Sequence, residues 1–364
     1  MYKHTIIAAL TFLCLTILSG SVCHARTLTR NHETIVVYAP GPDDDHYVNN
    51  AVLTRFKGRY WCMWQSSAKD EDSPDTHVCI SSSRNGKKWS RPKTIAQCTD
   101  STFATPGGWI VHNDTLTAFI NVFKDIKAGG RAFYITTGNG RKWSSQKPVL
   151  MADGTAMNGI LEQDPHRIDE SRIVGAAHFR PGLKARPIYT DDLSGHGGWK
   201  IGRIRMEDKG TQSRGLEPSL YLKPDGTIVM LFRDQASSFR KLSSESRDRG
   251  RTWSELYLTD LIDSRSKQSA GNLPDGRAYI VSNPTGSKDR TRLGIAFSTD
   301  GTDFSDYIIL RDRDDLSVQQ KKGKYKTIGY SYPKTFIHEG YIYISYSENK
   351  EKIVITRMRI PEID

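Results

Sequence analysis

The amino-acid sequence predicts an all-β protein, and more specifically a six-bladed β-propeller. Three observations support this prediction: a turn motif that returns at a nearly constant interval, several short apolar runs within each interval, and no long run with helical periodicity. The chain has 364 residues, with thirty glycines and sixteen tyrosines, a composition that favours strands and tight turns.

The turn motif is clearest at Ser246–Trp253, which reads SRDRGRTW, and weaker copies end at Trp89, Trp143, Trp199 and Phe304. The five terminal aromatic residues are separated by 54, 56, 54 and 51 positions. We expect the Ser and Asp side chains to hydrogen-bond the turn backbone, the Gly to adopt a positive φ, and the aromatic ring to pack between adjacent sheets. The motif is therefore interpreted as scaffold and not as active site.

Five motifs, followed by a last unit from Tyr330 to Ile360 without one, predict six blades in a single domain spanning residues 26–364. Turn signals such as KPDG at 223–226 and LPDG at 273–276 join the strands within a blade. We expect the strand TIVVY at 34–38 to pair with the last blade and close the ring.

The N-terminus has the pattern of a secretory signal peptide. Lys3 and His4 precede an apolar run from Ile6 to Leu18, which is too short to span a bilayer, and Ala25 offers a small residue for cleavage. We expect residues 1–25 to be removed and the product to be secreted or periplasmic. A lipoprotein attached through Cys23 is the alternative. No other segment is expected to span a membrane, and we expect no stable membrane association.

The cysteine content and the net charge of the chain limit the ligands that it is expected to bind. Cys62, Cys79 and Cys98 remain after cleavage, and without a CxxC or a histidine cluster they predict no metal site. A Cys62–Cys79 disulfide and two buried thiols both remain open. The formal net charge of +11 is scattered along the chain, which favours an anionic oligo- or polysaccharide over nucleic acid. We expect a monomer that needs no cofactor.

The repeated turns resemble Asp boxes, and the chain resembles the sialidase superfamily of six-bladed propellers. That resemblance implies an exo-acting glycoside hydrolase. It assigns the catalytic residues by motif: Glu217 opens the fourth blade, Tyr330 opens the last blade with Tyr332 as a rival, and Asp72 is the acid/base, with Asp70 and Asp75 as alternatives.

The same resemblance assigns substrate-binding arginines. Arg233 ends the strand after Glu217, and Arg292 precedes the fifth box, with Arg290 as a near alternative. Guanidinium groups suit a substrate carboxylate, and a neutral phenol is a better nucleophile beside that carboxylate than a second anion would be. We expect Glu217, Arg233 and Arg292 to converge at one axial mouth, and Tyr330 to lie within hydrogen-bond reach of Glu217.

One departure from the family pattern concerns the first blade. Sialidases carry an Arg-Ile-Pro motif where this chain has Val48, Asn49 and Asn50, so the arginine triad is incomplete. We assign Asn50 and the nearby His46 as candidate substrate-binding residues. Glu162 and His178 are further residues expected near the propeller mouth.

The first blade also resembles a branch of propeller enzymes that contains ulvan lyases and rhamnosidases. This leaves two alternatives to a sialidase-like hydrolase: a lyase or rhamnosidase of that branch, with His46 and a tyrosine in acid/base roles, and a glycan-binding propeller without catalysis.

Overall fold

The short apolar runs of the chain form six antiparallel sheets, the blades of a propeller. The computed structural model describes residues 32–124, 129–163, 165–180, 182–205 and 214–362. Within these residues each sheet takes its strands in chain order, except for the N-terminal strand, and the predicted six-bladed β-propeller is confirmed. The signal peptide predicted at 1–25 lies outside the described residues.

The first blade contains β2 (Tyr47–Phe56), β3 (Arg59–Ser67), β4 (His77–Ser83) and β5 (Lys93–Ala96). The second contains β6 (Phe103–His112), β7 (Thr115–Phe123), β8 (Gly130–Thr137) and β9 (Lys147–Pro148). The third contains β10 (Gly159–Leu161), β11 (His166–Asp169), β12 (Arg172–Phe179), β13 (Lys184–Thr190) and β14 (Lys200–Ile201).

The fourth blade contains β16 (Gly215–Leu222), β17 (Ile228–Asp234), β18 (Arg240–Ser246) and β20 (Tyr257–Ile262). A short parallel pair, β15 (Arg203–Ile204) and β19 (Thr252–Trp253), connects it to the third. The fifth blade contains β21 (Ser269–Asn272), β22 (Ala278–Ser282), β23 (Leu293–Ser298) and β24 (Tyr307–Arg311), followed by a 3-10 helix at Arg313–Asp315.

The last blade contains β25 (Tyr330–His338), β26 (Tyr341–Glu348) and β27 (Lys352–Arg359), and its outermost strand is β1 (His32–Tyr38). Ile35 of β1 pairs with Ile355 of β27, so the prediction that 34–38 closes the ring is confirmed. Joining the two ends of the chain in one sheet removes the open edges that a linear row of blades would leave.

The turn motifs have the scaffold role expected of them. Asp248 accepts hydrogen bonds from the backbone of Arg251 and Thr252 at 3.0 and 2.8 Å, and the indole of Trp253 donates to the carbonyl of Gly250 at 2.9 Å. Gly250 has a φ of +86°. Trp253 is buried in an apolar cluster that contains residues of both the third and the fourth blades. The aromatic residue therefore joins neighbouring sheets.

The two faces of the ring are defined by strand direction. In each blade the innermost strand begins at one face, which we call the upper face, and ends at the lower face. Strands alternate in direction, so the turn motifs, which follow the third strand of a blade, lie at the lower face together with the turns at 223–226 and 273–276. Residues that open an innermost strand, such as Glu217, lie at the upper face.

Cys62 and Cys79 carry free thiols. In the sheet Cys62 is opposite Ser81, and Cys79 is opposite Trp64, so the disulfide left open by the sequence is not formed. Burial raises the pKa of the Cys79 thiol to about 11. No helix in the described ranges is long and apolar enough to cross a membrane.

Candidate functional site

The upper ends of three innermost strands are interrupted by bulges. The pairing register shifts between Asn49 and Val52 in β2, between Leu216 and Ser219 in β16, and between Ser331 and Lys334 in β25. Within these bulges Asn50, Glu217 and Tyr332 have φ values of +57°, +50° and +57°. A left-handed backbone costs a non-glycine residue roughly 1–2 kcal/mol, and such strain concentrates at functional sites.

Glu217 and Arg233 form a buried ion pair. Nη1 of Arg233 donates to Oε2 of Glu217 at 2.8 Å, and the side chains are 15% and 9% exposed. Burial alone would raise the pKa of the Glu217 carboxyl, but the Arg233 guanidinium and the Lys267 ammonium outweigh it and lower the pKa to about 2. Glu217 is therefore ionised at neutral pH.

His178 supports the strained backbone of Glu217. The backbone N–H of Glu217 donates to Nε2 of His178 at 3.1 Å. Burial lowers the pKa of His178, although the nearby carboxylates of Glu162 and Glu217 oppose the shift. A neutral ring leaves Nε2 able to accept this hydrogen bond. His178 thus lies at the upper face, as expected, and it contacts the backbone of Glu217.

Lys267 connects three blades at the axis. Its side chain is fully buried, and Nζ donates to Oε2 of Glu162 at 2.8 Å and to Oδ1 of Asn50 at 3.2 Å. The same ammonium lies 4.7 Å from the centre of the Tyr332 ring. Lys350, which is bonded to Glu71 at 2.6 Å, lies 5.5 Å from that ring. Two ammonium groups thus lie close to one phenol ring.

Tyr332 faces the charges of this group. Burial, followed by the carboxylates of Glu217 and Glu71, holds the pKa of Tyr332 well above its usual value, and Arg233 and Arg290 act in the opposite direction. The phenol is therefore neutral when no ligand is present. We call Glu217, Arg233, Arg290, Lys267 and Tyr332 the axial cluster.

Asp72 lies in the β3–β4 loop, where its φ is +59°. Its charged neighbours include Glu162, which is bonded to Lys267 of the axial cluster, and Lys350, which lies near Tyr332. Although Asp72 is exposed at the surface, partial loss of hydration and the charges of Glu71 and Glu162 outweigh Lys350 and raise the pKa of Asp72 to about 7. The rival carboxylates are bound to backbone groups: Asp70 accepts from the N–H groups of Lys324 and Tyr325, and Asp75 from the N–H of Ala68 at 2.7 Å. Asp72 is thus the acid of this loop whose pKa suits proton transfer near neutral pH.

The structure gives Tyr330 a different position from the one expected. Its hydroxyl donates to the carbonyl of Asp312 at 2.9 Å, and its ring packs edge-on against Tyr346 in the core of the fifth and sixth blades. In an unbroken strand Tyr330 and Tyr332 would share a face. The bulge after Ser331 breaks that alternation, so Tyr332 and not Tyr330 joins Glu217.

Arg292 also lies apart from the axial cluster, and the expectation that it converges with Glu217 and Arg233 is wrong. It pairs with Asp312 at 2.9 Å, and its side chain is 45% exposed. Arg290, the near alternative, forms a backbone bridge to Gly329 just before β25. This bridge places Arg290 beside the strand that carries Tyr332, and its Nη1 lies 3.4 Å from Oγ of Ser331.

The two remaining candidates differ in position. Asn50 is buried, and its amide donates to the carbonyl of Pro106 at 3.2 Å while its oxygen accepts from Lys267. His46 lies in the loop before β2, where its Nε2 is 3.2 Å from the carbonyl of Pro42. The structure therefore brings Asn50 into contact with the axial cluster and shows no such contact for His46.

Sequence reasoning missed Lys267 and Lys350, and ranked Tyr332 second. One signal could have identified Tyr332: both Glu217 and Tyr332 directly precede a proline, Pro218 and Pro333. Proline inside a sheet is confined to edges and bulges, so each dipeptide marks a bulge. Lys350 occupies the β26–β27 turn, where a lysine is ordinarily solvated, and no local pattern distinguishes Lys267.

Among the described residues, no group of three His, Cys, Asp or Glu side chains has the arrangement of a metal site. The axial cluster combines the Glu217–Arg233 ion pair, which lies within the fourth blade, with contacts of Lys267 to residues of other blades. Such a site can bind an anion and move protons.

Comparison with known proteins identifies the family of this chain and the solved structures that share its fold. A family model described as a BNR repeat-like domain matches residues 58–344. No curated protein matches the chain significantly. Among solved structures, a protein of unknown function from Dyadobacter fermentans DSM 18053 is similar, with 14% identity and a TM-score of 0.68, covering 91% of this chain and 100% of that one.

Sialidases have the same fold. The Hadza microbial sialidase Hz136 has 15% identity and a TM-score of 0.69, covering 90% of this chain and 68% of that chain. The Trypanosoma rangeli sialidase in complex with sialic acid has 13% identity and a TM-score of 0.61, covering 90% of this chain and 57% of that chain. At these identities the likeness establishes the fold alone.

Proposed function

The chain belongs to the family of BNR repeat-like domains, and from this premise we propose that it is an exported glycoside hydrolase of sialidase type acting on an anionic glycan. The observation that carries the proposal is the 2.8 Å Glu217–Arg233 ion pair facing the neutral phenol of Tyr332. In the proposed mechanism Tyr332 is the nucleophile, Glu217 its base, and Asp72 the acid/base.

The proposed substrate carries a carboxylate, because the axial cluster offers several cations in one buried place. Arg233 and Arg290 supply planar guanidinium groups that suit a carboxylate. Asn50 belongs to the stretch that replaces the arginine motif of sialidases, and its oxygen accepts from the ammonium of Lys267 at 3.2 Å. We propose that Lys267 supplies the positive charge which that missing arginine would otherwise bring.

Substrate binding would activate the nucleophile. In the free protein Arg233 holds Glu217 ionised and weakly basic. A substrate carboxylate on Arg233 would share that guanidinium, and the basicity of Glu217 would rise. Glu217 could then accept the proton of Tyr332, whose phenolate would be stabilised by the nearby ammonium groups of Lys267 and Lys350.

The bond changes follow from these roles. The phenolate oxygen of Tyr332 forms a bond to the anomeric carbon while the bond to the leaving oxygen breaks, and Asp72 gives its proton to that oxygen. In the second step Asp72 takes a proton from water, the water oxygen bonds to the anomeric carbon, and Tyr332 leaves and regains its proton from Glu217. A covalent intermediate of this kind predicts retention of anomeric configuration.

The experiment is a substrate screen with the purified protein. It includes aryl ketosides of sialic acid, aryl glucuronides, neutral aryl glycosides and uronate-containing polysaccharides, with products followed by NMR and by ultraviolet absorbance. We expect release of a free acidic sugar with retained configuration and no turnover of neutral glycosides. An unsaturated uronate product would instead identify a lyase. No product from any anionic substrate would favour a glycan-binding protein.

A further inference from the structure

A cavity opens on the ring axis at the face opposite the axial cluster. It has a volume of about 600 Å³, and its lining includes the lower-face turn residues Lys223, Pro224 and Gly276. Since β16 runs from Glu217 at the upper face to the turn after Leu222 at the lower face, this lower cavity and the axial cluster lie at opposite ends of the same strand. The volume is within the range of small-molecule sites.

A layer of buried amides separates the two ends of the axis. The side chain of Gln163 lines the lower cavity, and its Nε2 donates to the carbonyl of Gln268 at 2.7 Å. The side chain of Gln268 in turn donates to the carbonyls of Glu217 and Leu231 at 3.2 and 2.9 Å. Two buried amides thus lie between the lower cavity and Glu217, and no residue of the axial cluster lines the lower cavity.

The wall of the lower cavity carries an unused hydroxyl. Ser219 is 4% exposed and lines the cavity, yet its Oγ has no hydrogen-bond partner among the described residues. A buried polar group without a partner is uncommon in proteins and calls for a ligand or water to satisfy it. The Ser219 hydroxyl can therefore hydrogen-bond a polar ligand in the cavity.

Further hydroxyls from two other blades reach the same wall. Oγ1 of Thr335 lies 2.8 Å from Oγ of Ser269 and 2.8 Å from the hydroxyl of Tyr279. Each hydroxyl has one donor and two acceptor sites, so the Ser269 hydroxyl can accept a further hydrogen bond from a ligand. Hydroxyl groups from the fourth, fifth and sixth blades thus converge on one space.

The ammonium at the lower cavity is paired, because Lys223 bonds to Glu245 at 2.8 Å. Arg167 is half exposed to solvent. The hydroxyls and amides of the lining therefore suit a neutral ligand that is rich in hydroxyl groups. We propose that the lower cavity binds a neutral sugar unit, so that the protein holds a glycan at the face opposite its axial cluster.

Binding is tested by titrating the full-length protein with neutral mono- and oligosaccharides, using calorimetry and saturation-transfer NMR. We expect at least one neutral sugar to bind with one-to-one stoichiometry. Ser219→Ala combined with Thr335→Val should weaken that binding about tenfold or more, because two hydrogen bonds are lost. Thr335→Val alone, a nearly isosteric change, should weaken it less. Oligosaccharides that bind more tightly than their monosaccharides would identify a glycan chain as the source of the unit.

Ser243→Ala is the matched control, because Ser243 is equally buried in the third strand of the fourth blade and does not line the lower cavity. It should leave sugar binding unchanged. The proposal is overturned if no neutral sugar binds, or if the Ser219 and Thr335 changes leave the affinity intact while thermal denaturation shows folded protein. Because the readout is binding, a protein with no hydrolase activity could still pass this test, and an active hydrolase could still fail it.

Discussion

Asp248 and Glu217 are acidic residues of the same blade at opposite faces of the ring, and they use their carboxylates differently. Asp248 accepts only from its own turn: from Ser246, Arg251 and Thr252, all within four residues. Glu217 bonds to Arg233, sixteen residues away, and its backbone N–H donates to His178 in another blade. The first carboxylate shapes a turn, whereas the second depends on the assembled ring.

This difference shows how one repeat can supply both scaffold and site. The lower-face turns need only a local pattern of Ser, Asp and Gly, so they return in five of the six blades. The axial cluster arises where the repeat is interrupted, at bulges that occur in β2, β16 and β25 and place Asn50, Glu217 and Tyr332 in the left-handed region. Side chains that differ between blades then meet at the axis.

The largest expected effect of a single change concerns the two tyrosines of β25. Tyr332→Phe removes the proposed nucleophilic oxygen and keeps the ring beside Lys267 and Lys350, so turnover should fall by about 10³-fold or more. Tyr330→Phe removes a hydroxyl that bonds the carbonyl of Asp312 and the side chain of Arg311, both outside the axial cluster, so turnover should stay within about twofold. Steady-state kinetics on the substrate identified by the screen measures both.

Stability should respond in the opposite order. Tyr330→Phe loses a buried hydrogen bond, which lowers the free energy of unfolding by about 1 kcal/mol. If Tyr330→Phe instead abolished turnover while Tyr332→Phe did not, the bulge would have no part in placing the nucleophile, and the assignment of Tyr332 would be wrong.

The next effect concerns Asp72 and pH. Because the pKa of Asp72 is raised to about 7, its acidic form predominates below pH 7, and turnover of a substrate with a poor leaving group should decline above that pH. Asp72→Asn should lower this turnover about 10²-fold and remove the decline. An activated aryl substrate should be much less affected, since its leaving group needs no proton. An unchanged pH profile in Asp72→Asn would exclude Asp72 as the acid.

A smaller effect distinguishes Arg290 from Arg292. Arg290→Ala removes one guanidinium that faces Tyr332, and it should lower kcat/KM about tenfold for an anionic substrate, the size expected for one hydrogen bond to a charged group. Arg292→Ala removes an exposed ion pair to Asp312 and should change kcat/KM less than about twofold. Equal losses in the two variants would contradict the position assigned to Arg290.

The sequence allowed the ring to be predicted because its determinants are local and repeated. The interval between aromatic residues, the glycine with positive φ and the closing strand at 34–38 are all visible along the chain. Glu217 and Arg233 could be predicted as well, because they belong to one hairpin. Tyr332, Arg290 and Lys267 could not be placed with certainty, since each depends on a bulge or on a contact between blades. A shift of one residue in a strand reverses which side chain faces the axis.

The smallest expected effect tests the lower-face turns. Asp248→Ala removes the acceptor for two backbone N–H groups and two hydroxyls in one turn, and it should lower the free energy of unfolding by about 1 kcal/mol, as the loss of a helix-capping side chain does. Burial opposes the shift, but the bonds from Thr252 and Ser246 lower the pKa of Asp248. Its stabilising contribution is therefore present above the unfolded pKa of about 4 and is lost as the pH falls through the lower folded pKa. Urea unfolding at pH 7 and at pH 3 should show the difference between wild type and Asp248→Ala shrinking at the lower pH. Glu255→Ala, an exposed change just beyond Trp253, should show little difference at either pH.

Turnover should stay near wild type in both variants, because the turn lies at the face opposite the axial cluster. A large loss of turnover in Asp248→Ala with unchanged stability would mean that this turn takes part in the reaction. The assignment of scaffold turns to the lower face and of catalysis to the upper face would then be wrong.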